Sequence, residues 1–315
     1  MSAEGYNLTF AGTSFMGVYN IGSAVCLLDH GKELVRRVRC YGGTSAGAST
    51  ACMMLSAPER LTQYLQSIYD LSATITAMPQ GAVTPEYDLM SDIRKILESH
   101  LKDDSHAVCS RRLHVPIMEL VSVTPDPRCK TTTIAPQPTK KPNVLEFGGK
   151  VWACGEKKVV TSFSSREELI EVLLASIYVP WFSDWKAPSY QGKLWVDGSL
   201  LNTSPGGIED LQFPAGTLIT ISPNKQAAHY RPQDNITTTW KDISQEHYEA
   251  SPFNMYRVPI SSDVNGLGFV LNPPPRGVLG KLYDTGKTDA LEFLTRYGVY
   301  EGPIADRRRT DGLIS

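Results

Sequence analysis

The chain has 315 residues, which is enough for one large α/β domain with a substantial core. Charged residues make up 20% of the sequence and the formal net charge is only -2, so the composition excludes a strongly basic nucleic-acid-binding surface. Six scattered cysteines, none with zinc-site spacing, exclude a disulfide scaffold and indicate a reducing compartment.

Two strand-turn-helix units are predicted within the first sixty residues. The first consists of a strand at 7–11, a turn at 12–17 and a helix at 18–30; the second consists of a strand at 35–41, a turn at 42–47 and a small-residue helix ending near Pro58. Consecutive units of this kind are typical of a parallel sheet with helices packed on its faces. The sequence therefore predicts an α/β fold.

The rest of the chain continues the alternation of strands and helices and contains one predicted insertion. Helical patterns cover 59–106, 166–178 and 279–298, and strand patterns cover 113–124, 144–152, 194–196 and 217–221. Residues 125–142 contain five prolines and are predicted to be a flexible insertion in a hairpin, not a domain boundary. We predict one domain over residues 1–300, followed by a polar tail at 301–315 that carries Arg307, Arg308 and Arg309.

The second turn contains a candidate nucleophile. Gly43-Thr44-Ser45-Ala46-Gly47 has the G-x-S-x-G pattern of a nucleophile elbow and lies between a predicted strand and a predicted helix, where that motif functions. Small neighbours are needed because the serine occupies a sharp, strained turn. The alternative is a glycine-rich turn with an incidental serine, and the pentapeptide alone does not decide between them.

The candidate base is Asp197, which ends an apolar strand and precedes Gly198. Catalytic side chains in α/β sheets lie beyond the carboxyl ends of strands, although an ordinary Asp-Gly turn has the same sequence. No histidine stands in a motif that singles it out. A Ser-Asp-His esterase using His229 or His247 is therefore a further alternative.

The first turn, Gly12 to Gly17, is the segment that could provide oxyanion donors, because only one predicted strand precedes the elbow. In an α/β-hydrolase the elbow comes later in the chain. The turn is not a P-loop, since Val18 and Tyr19 stand where Lys and Ser or Thr are required. Nucleotide binding is not expected.

Several segments together resemble the patatin-like phospholipase family, and most of all its branch containing adiponutrin and adipose triglyceride lipase. The resemblance covers roughly the first three hundred residues. Its main segments are Leu8 to Tyr19, Gly43 to Gly47, Ser162 to Ile170, Val196 to Ser199 and Ala290 to Gly298. It implies a three-layer α/β/α fold with a mainly parallel central sheet, and a lipid acyl hydrolase that uses a Ser45/Asp197 dyad.

The resemblance also implies that the first turn forms the oxyanion hole. The residues assigned to it are Gly12, Thr13, Ser14, Met16 and Gly17, with Gly43 and Gly47 as the small residues of the elbow. Two positions depart from the family pattern. Ser14 stands where this branch typically has glycine, and its Cβ hinders a positive φ; Ser199 replaces the last small residue of Asp-Gly-Gly.

The expected partners follow from this chemistry. The substrate class is acylglycerol or phospholipid, no metal or organic cofactor is required, and no nucleic acid is expected. No apolar run approaches the ~20 residues that cross a bilayer, so we expect a cytoplasmic protein that is at most peripheral on lipid droplets or membranes. A protein co-activator is a further expected partner. The alternative function is a catalytically weak, lipid-binding regulator of another lipase, which the Ser14 substitution motivates.

Overall fold

The computed structural model describes residues 5–123, 144–147, 150–180, 186–199, 211–223, 235–237 and 273–302. The predicted insertion at 125–142, residues 303–315 of the predicted tail, His229 and His247 lie outside the described residues. No helix in the described ranges combines the length and apolar character needed to cross a bilayer.

Helices and strands alternate along the chain. The helices are α1 (Val18–His30), α2 (Lys32–Arg36), α3 (Ala46–Ser56), α4 (Leu61–Thr76), α5 (Leu89–His100), α6 (Ser105–Cys109), α7 (Arg166–Ile177) and α8 (Arg276–Arg296). The strands are β1 (Tyr6–Phe10), β2 (Val38–Gly43), β3 (Leu113–Val123), β4 (Val144–Phe147), β5 (Lys150–Val160), β6 (Ser189–Tyr190), β7 (Lys193–Asp197), β8 (Thr217–Ser222) and β9 (Asn235–Thr237). Short 3-10 turns cover Ser14–Gly17, Pro58–Arg60 and Gly81–Val83.

The strands of the described chain form one mixed sheet in the order β4-β5-β3-β2-β1-β8-β9, with β7 paired to β3 and β6 paired to β7. The centre of the sheet is parallel, from the first residues of β3 through β2 and β1 to β8 and β9. Helices pack against it, and the predicted α/β fold is confirmed. The strands on either side of the predicted hairpin insertion are antiparallel, whereas the antiparallel pairing of β7 with β3 and of β6 with β7 was not predicted.

Strand β3 brings the ends of two other strands together. Strand β2 runs parallel to β3 and pairs with Leu113 and His114, whereas β7 runs antiparallel and pairs with residues 117–120. Strand β5 occupies the opposite edge of β3 over the same residues, so β2 and β7 share one edge. Their carboxyl ends therefore point at each other.

Two element boundaries of the sequence analysis are corrected. The predicted strand at 144–152 is two strands, β4 and β5, and β5 continues to Val160. The second strand begins at Val38, because Lys32–Arg36 forms the short helix α2 instead of the start of a strand. Glu33 lies in the first turn of α2 and Arg36 in its last turn, where each charge interacts favourably with the helix dipole. The two side chains also form an ion pair. Local helix signals thus override the strand propensity of Val35.

Helices α1 and α8 cross at very short range because glycines line the contact. A Cβ on Gly22 would lie 2.1 Å from the Tyr283 carbonyl oxygen, and one on Gly286 would lie 2.2 Å from the Tyr19 carbonyl oxygen. The buried Tyr19 hydroxyl donates to Asp289 at 2.9 Å, and Ser23 donates to the Gly286 carbonyl at 3.0 Å. The C-terminal helix is thereby fixed to the helix that follows the Gly12 turn.

We expect Gly22→Ala to lower the free energy of unfolding by about 1–3 kcal/mol, because the added methyl group forces the two helices apart. Gly280→Ala is the matched control: it lies in α8 with nothing within 4 Å of its Cβ position. Alanine should stabilise that site by about 0.5–1 kcal/mol. Urea denaturation of the three proteins measures both effects, and equal stability of the two variants would contradict this packing.

Candidate active site

The elbow serine lies at the junction of β2 and α3, in a strained conformation. Ser45 has φ 55° and ψ -131°, and α3 begins at the next residue. A non-glycine residue in such a region costs on the order of 1–3 kcal/mol and persists only where its surroundings hold it. The residue is only partly buried.

The glycines of the elbow permit this geometry because other backbone atoms occupy the space of a side chain. A Cβ on Gly43 would lie 2.4 Å from the Gly47 carbonyl carbon, and one on Gly47 would lie 2.2 Å from the Phe10 carbonyl oxygen. The Gly47 N–H donates to the Thr44 carbonyl at 2.9 Å. The elbow therefore packs directly on the end of β1.

Asp197 lies at the end of β7 and contacts Ser45. The Ser45 side chain lies beside the Asp197 carboxylate and lowers its pKa as a hydrogen-bonding group, so the structure brings together the two side chains selected from the sequence. The Asp197 side chain is buried, and its own N–H donates to the Tyr178 carbonyl at 2.9 Å. Gly198 is required next to it, since a Cβ there would lie 2.7 Å from the Pro116 carbonyl oxygen.

Burial sets the acidity of Asp197. Removal from water disfavours the charged form and raises the pKa of this carboxyl to about 6, against the lowering effect of hydrogen bonds from Ser199 and Ser45. The Ser199 N–H and hydroxyl both donate to Oδ1, at 2.8 and 2.7 Å. Asp197 is thus a carboxylate at neutral pH whose pKa suits a general base.

The Gly12 turn packs against the elbow. A Cβ on Gly12 would lie 3.1 Å from the Ser45 Cβ, and one on Gly17 would lie 3.1 Å from the Ala46 Cβ. Ser14 adopts φ 51°, the left-handed region in which glycine is favoured. The turn therefore keeps a glycine-like backbone at Ser14 although the residue carries a Cβ.

The backbone amides of this turn differ in their availability. Within the described ranges, no residue accepts a hydrogen bond from the Thr13 or Ser14 amide. The Met16 N–H donates to the Thr13 carbonyl at 3.0 Å, because it closes the 3-10 turn. Thr13 and Ser14 therefore stay the proposed oxyanion donors with unengaged amides, whereas the Met16 amide would have to leave its bond within the turn to act as one.

Two serines near Asp197 and Ser45 were missed by the sequence analysis as functional residues. Ser199 was regarded only as a mild departure, yet it donates twice to Asp197. Ser176 lies in α7, and its hydroxyl accepts a hydrogen bond from the Ser45 N–H at 3.0 Å. A buried serine at the end of a helix has no local pattern that reveals such a partner.

The four described histidines interact with other groups. His30 contacts the Tyr300 ring, His100 bonds to Ser67, His106 contacts the Asp103 carbonyl and His114 contacts the Phe213 ring. Among the residues that the structure describes, no cluster of His, Cys, Asp and Glu side chains is arranged to hold a metal ion.

Comparison with known proteins is consistent with this geometry. The family model described as patatin-like phospholipase matches residues 8–207. The chain is 33% identical to patatin-like phospholipase domain-containing protein 4 from Homo sapiens, over 94% of this chain and 98% of that protein. It is 26% identical to a 1-acylglycerol-3-phosphate O-acyltransferase from Mus musculus, over 95% of this chain and 61% of that protein.

A third relative is patatin-like phospholipase domain-containing protein 2 from Rattus norvegicus, which is 27% identical over 95% of this chain and 52% of that protein. The chain thus spans nearly all of the human relative and between half and two thirds of the two rodent relatives.

We expect Asp197→Asn to be more stable than the natural protein at pH 7, because the natural protein must bury a charge there. Between about pH 4 and pH 6 the folded protein binds more protons than the unfolded chain, so its stability falls as the pH rises through this window. Asparagine carries no such penalty, and the stability difference should grow to at most about 3 kcal/mol above pH 6.

Urea denaturation between pH 4 and pH 8 measures this difference. The exposed Asp103→Asn variant controls for the loss of one carboxylate elsewhere on the surface. An Asp197→Asn protein that is less stable than the natural one at pH 8 would show that the carboxylate is not penalised by burial.

Proposed function

This chain belongs to the patatin-like phospholipase family, and we propose that it is a serine carboxylic-ester hydrolase that acts on acylglycerol lipids. Ser45 is the proposed nucleophile and Asp197 its base. The proposed substrates are triacylglycerol or phospholipid. The relatives support this class, since two are named as patatin-like phospholipase domain-containing proteins and one as an acylglycerol-phosphate acyltransferase.

The observation that carries the proposal is the contact between the Ser45 hydroxyl and the buried Asp197 carboxylate. A serine hydroxyl is a weak nucleophile until a neighbouring base accepts its proton. Asp197 has a pKa near 6 and is ionised at neutral pH, so it can accept that proton directly. A dyad of this kind needs no histidine and no metal ion.

The proposed reaction has two stages. In the first, Ser45 Oγ attacks the ester carbonyl carbon while its proton passes to Asp197, and the resulting oxyanion is stabilised by the Thr13 and Ser14 amides. The N-terminus of α3, directly behind Ser45, favours the same negative charge. Collapse of the tetrahedral species returns the proton to the leaving alcohol and leaves an acyl group on Ser45.

In the second stage Asp197 accepts a proton from water, which attacks the acyl group. As the bond from the acyl carbon to Ser45 Oγ breaks, Asp197 returns this proton to Oγ and the fatty acid is released. If a second acylglycerol replaces water, the acyl group passes to its hydroxyl and the same residues perform transacylation. The acyltransferase named among the relatives supports including this second outcome. Because such substrates reside in aggregates, we propose that the protein works at a lipid droplet or membrane surface, where a co-activator protein could also bind.

A second candidate function is a weakly active, lipid-binding regulator of another lipase. Its specific support is Ser14, which stands in the oxyanion turn with φ 51° and a Cβ where glycine is expected. Loss of one oxyanion donor typically lowers turnover by about 100- to 1,000-fold. The Ser-Asp-His alternative rests on His229 and His247, which lie outside the described residues.

The proposed function predicts fatty-acid release from emulsified triacylglycerol or phosphatidylcholine by the purified protein, and its loss in Ser45→Ala and Asp197→Ala. The Ser72→Ala variant is the control, because this buried serine lies in α4, outside the site, and donates to the Pro274 carbonyl. Circular dichroism establishes that all four proteins fold. Release that survives in Ser45→Ala would contradict the proposal.

The Ser14→Gly variant in the same assay separates the two candidate functions. If the Cβ of Ser14 disturbs the donors, glycine should raise the rate of release by about 10-fold or more, since a single donor is worth at least 100-fold. A fluorophosphonate probe that labels folded natural protein at Ser45 supports the enzyme. Absence of labelling in both the natural protein and Ser14→Gly would favour the binding role.

A further inference from the structure

The C-terminal end of α7 contacts the backbones of both proposed catalytic residues. Ser176 lies in the last turn of this helix and is completely buried, and Tyr178 follows the helix directly. We propose that Ser176 is a positioning residue, which fixes the Ser45 elbow against the end of the strand that carries Asp197. This inference rests on the proposed function, because it assigns a role in the same site.

The Ser176 hydroxyl forms two hydrogen bonds in opposite directions. It accepts from the Ser45 N–H at 3.0 Å and donates to the Pro116 carbonyl at 3.2 Å. A hydroxyl with one donor and one acceptor partner has a fixed rotamer and a fixed proton position. The nucleophile backbone is thus bonded, through one side chain, to strand β3.

Pro116 lies at the point of β3 where its neighbours change. Strand β2 pairs with Leu113 and His114, and β7 begins to pair at Ile117. Proline has no N–H to offer to either strand, and its carbonyl faces Gly198 and Ser176. Ser176 therefore links the elbow to the stretch of β3 that lies between its pairing with β2 and its pairing with β7.

The same helix end also fixes Asp197. The Tyr178 carbonyl accepts the Asp197 N–H at 2.9 Å, two residues beyond the Ser176 bond to Ser45. One rigid helix end therefore holds both backbones, and the distance between Ser45 Oγ and the carboxylate depends on it. The strained φ of Ser45 makes the bond necessary, because a strained turn relaxes when a restraint is removed.

The bond is not required for general stability in the way that a large core residue is. Alanine removes only the oxygen atom, leaves the helix intact and has higher helix propensity than serine. Its effect is therefore concentrated on the Ser45 amide and on the Pro116 carbonyl. We expect Ser176→Ala to fold and to change the geometry of the nucleophile.

Ser176→Ala should lower kcat for ester hydrolysis by about 10- to 100-fold with KM within about 3-fold, because a misplacement of about 1 Å at the reacting atoms costs on the order of 100-fold. Ser176→Thr keeps the hydroxyl and should recover at least about half of the lost rate on a logarithmic scale. The control is Ser72→Ala, another buried serine that donates to a carbonyl.

Amide hydrogen exchange of Ser45 is the second readout, and it needs no substrate. The amide should exchange at least about 10-fold faster in Ser176→Ala than in the natural protein or in Ser72→Ala, because its acceptor is gone. Unchanged exchange together with unchanged kcat would overturn the inference. So would faster exchange with kcat within about 2-fold, since the bond would then have no part in positioning.

The two readouts separate failure of the inference from failure of the proposed function. If the natural protein releases no fatty acid, the proposed function fails, while the exchange comparison still decides whether Ser176 restrains the elbow. If the natural protein is active and Ser176→Ala matches it in kcat, the proposed function stands and the positioning role is wrong.

Discussion

The site depends on one constraint of the sheet: β2 and β7 occupy the same edge of β3 and run toward each other. Two strands that meet in this way place the residues after their carboxyl ends side by side. The first of these ends continues into the elbow with Ser45, and the second terminates at Asp197. Residues separated by about half of the chain thus lie beside each other in the site.

Several energetically unfavourable features lie at the point where β2 and β7 meet. Ser45 and Ser14 hold positive φ values, and Asp197 is a buried carboxylate whose pKa rises to about 6. Such terms persist only where the surrounding structure over-determines the local geometry. Here the surroundings consist of close backbone contacts at Gly43, Gly47 and Gly198, where any side chain would collide with a carbonyl group. Two residues with positive φ and a buried carboxyl group with a raised pKa thus lie together in the proposed site.

Local signals in the sequence were sufficient for the elbow, the strand before Asp197 and most of the helices. The elbow motif has fixed spacing, and Ser165 with Glu168 three residues later has the sequence of a helix N-cap, in which the Ser165 hydroxyl accepts the Glu168 N–H. The antiparallel pairing of β7 with β3 joins residues far apart in sequence, and no residue pattern indicates which edge of β3 strand β7 occupies. Ser176 and Ser199 were missed as site residues for the same reason, since their partners lie far away in sequence or depend on the exact end of a strand. The resemblance to a family supplied Asp197 as the base, because the residues alone favoured an ordinary Asp-Gly turn.

The central claim is that Ser45 carries the acyl group between two substrates. Its most direct test is to mix the natural protein with a chromogenic fatty-acyl ester, quench within the first turnover in acid, and map the protein by peptide mass spectrometry. The account predicts an added acyl mass on the peptide containing Ser45, its absence in Ser45→Ala, and its decay when water is allowed to react. Product release with no adduct on that peptide, or an adduct on another residue that persists in Ser45→Ala, would contradict it.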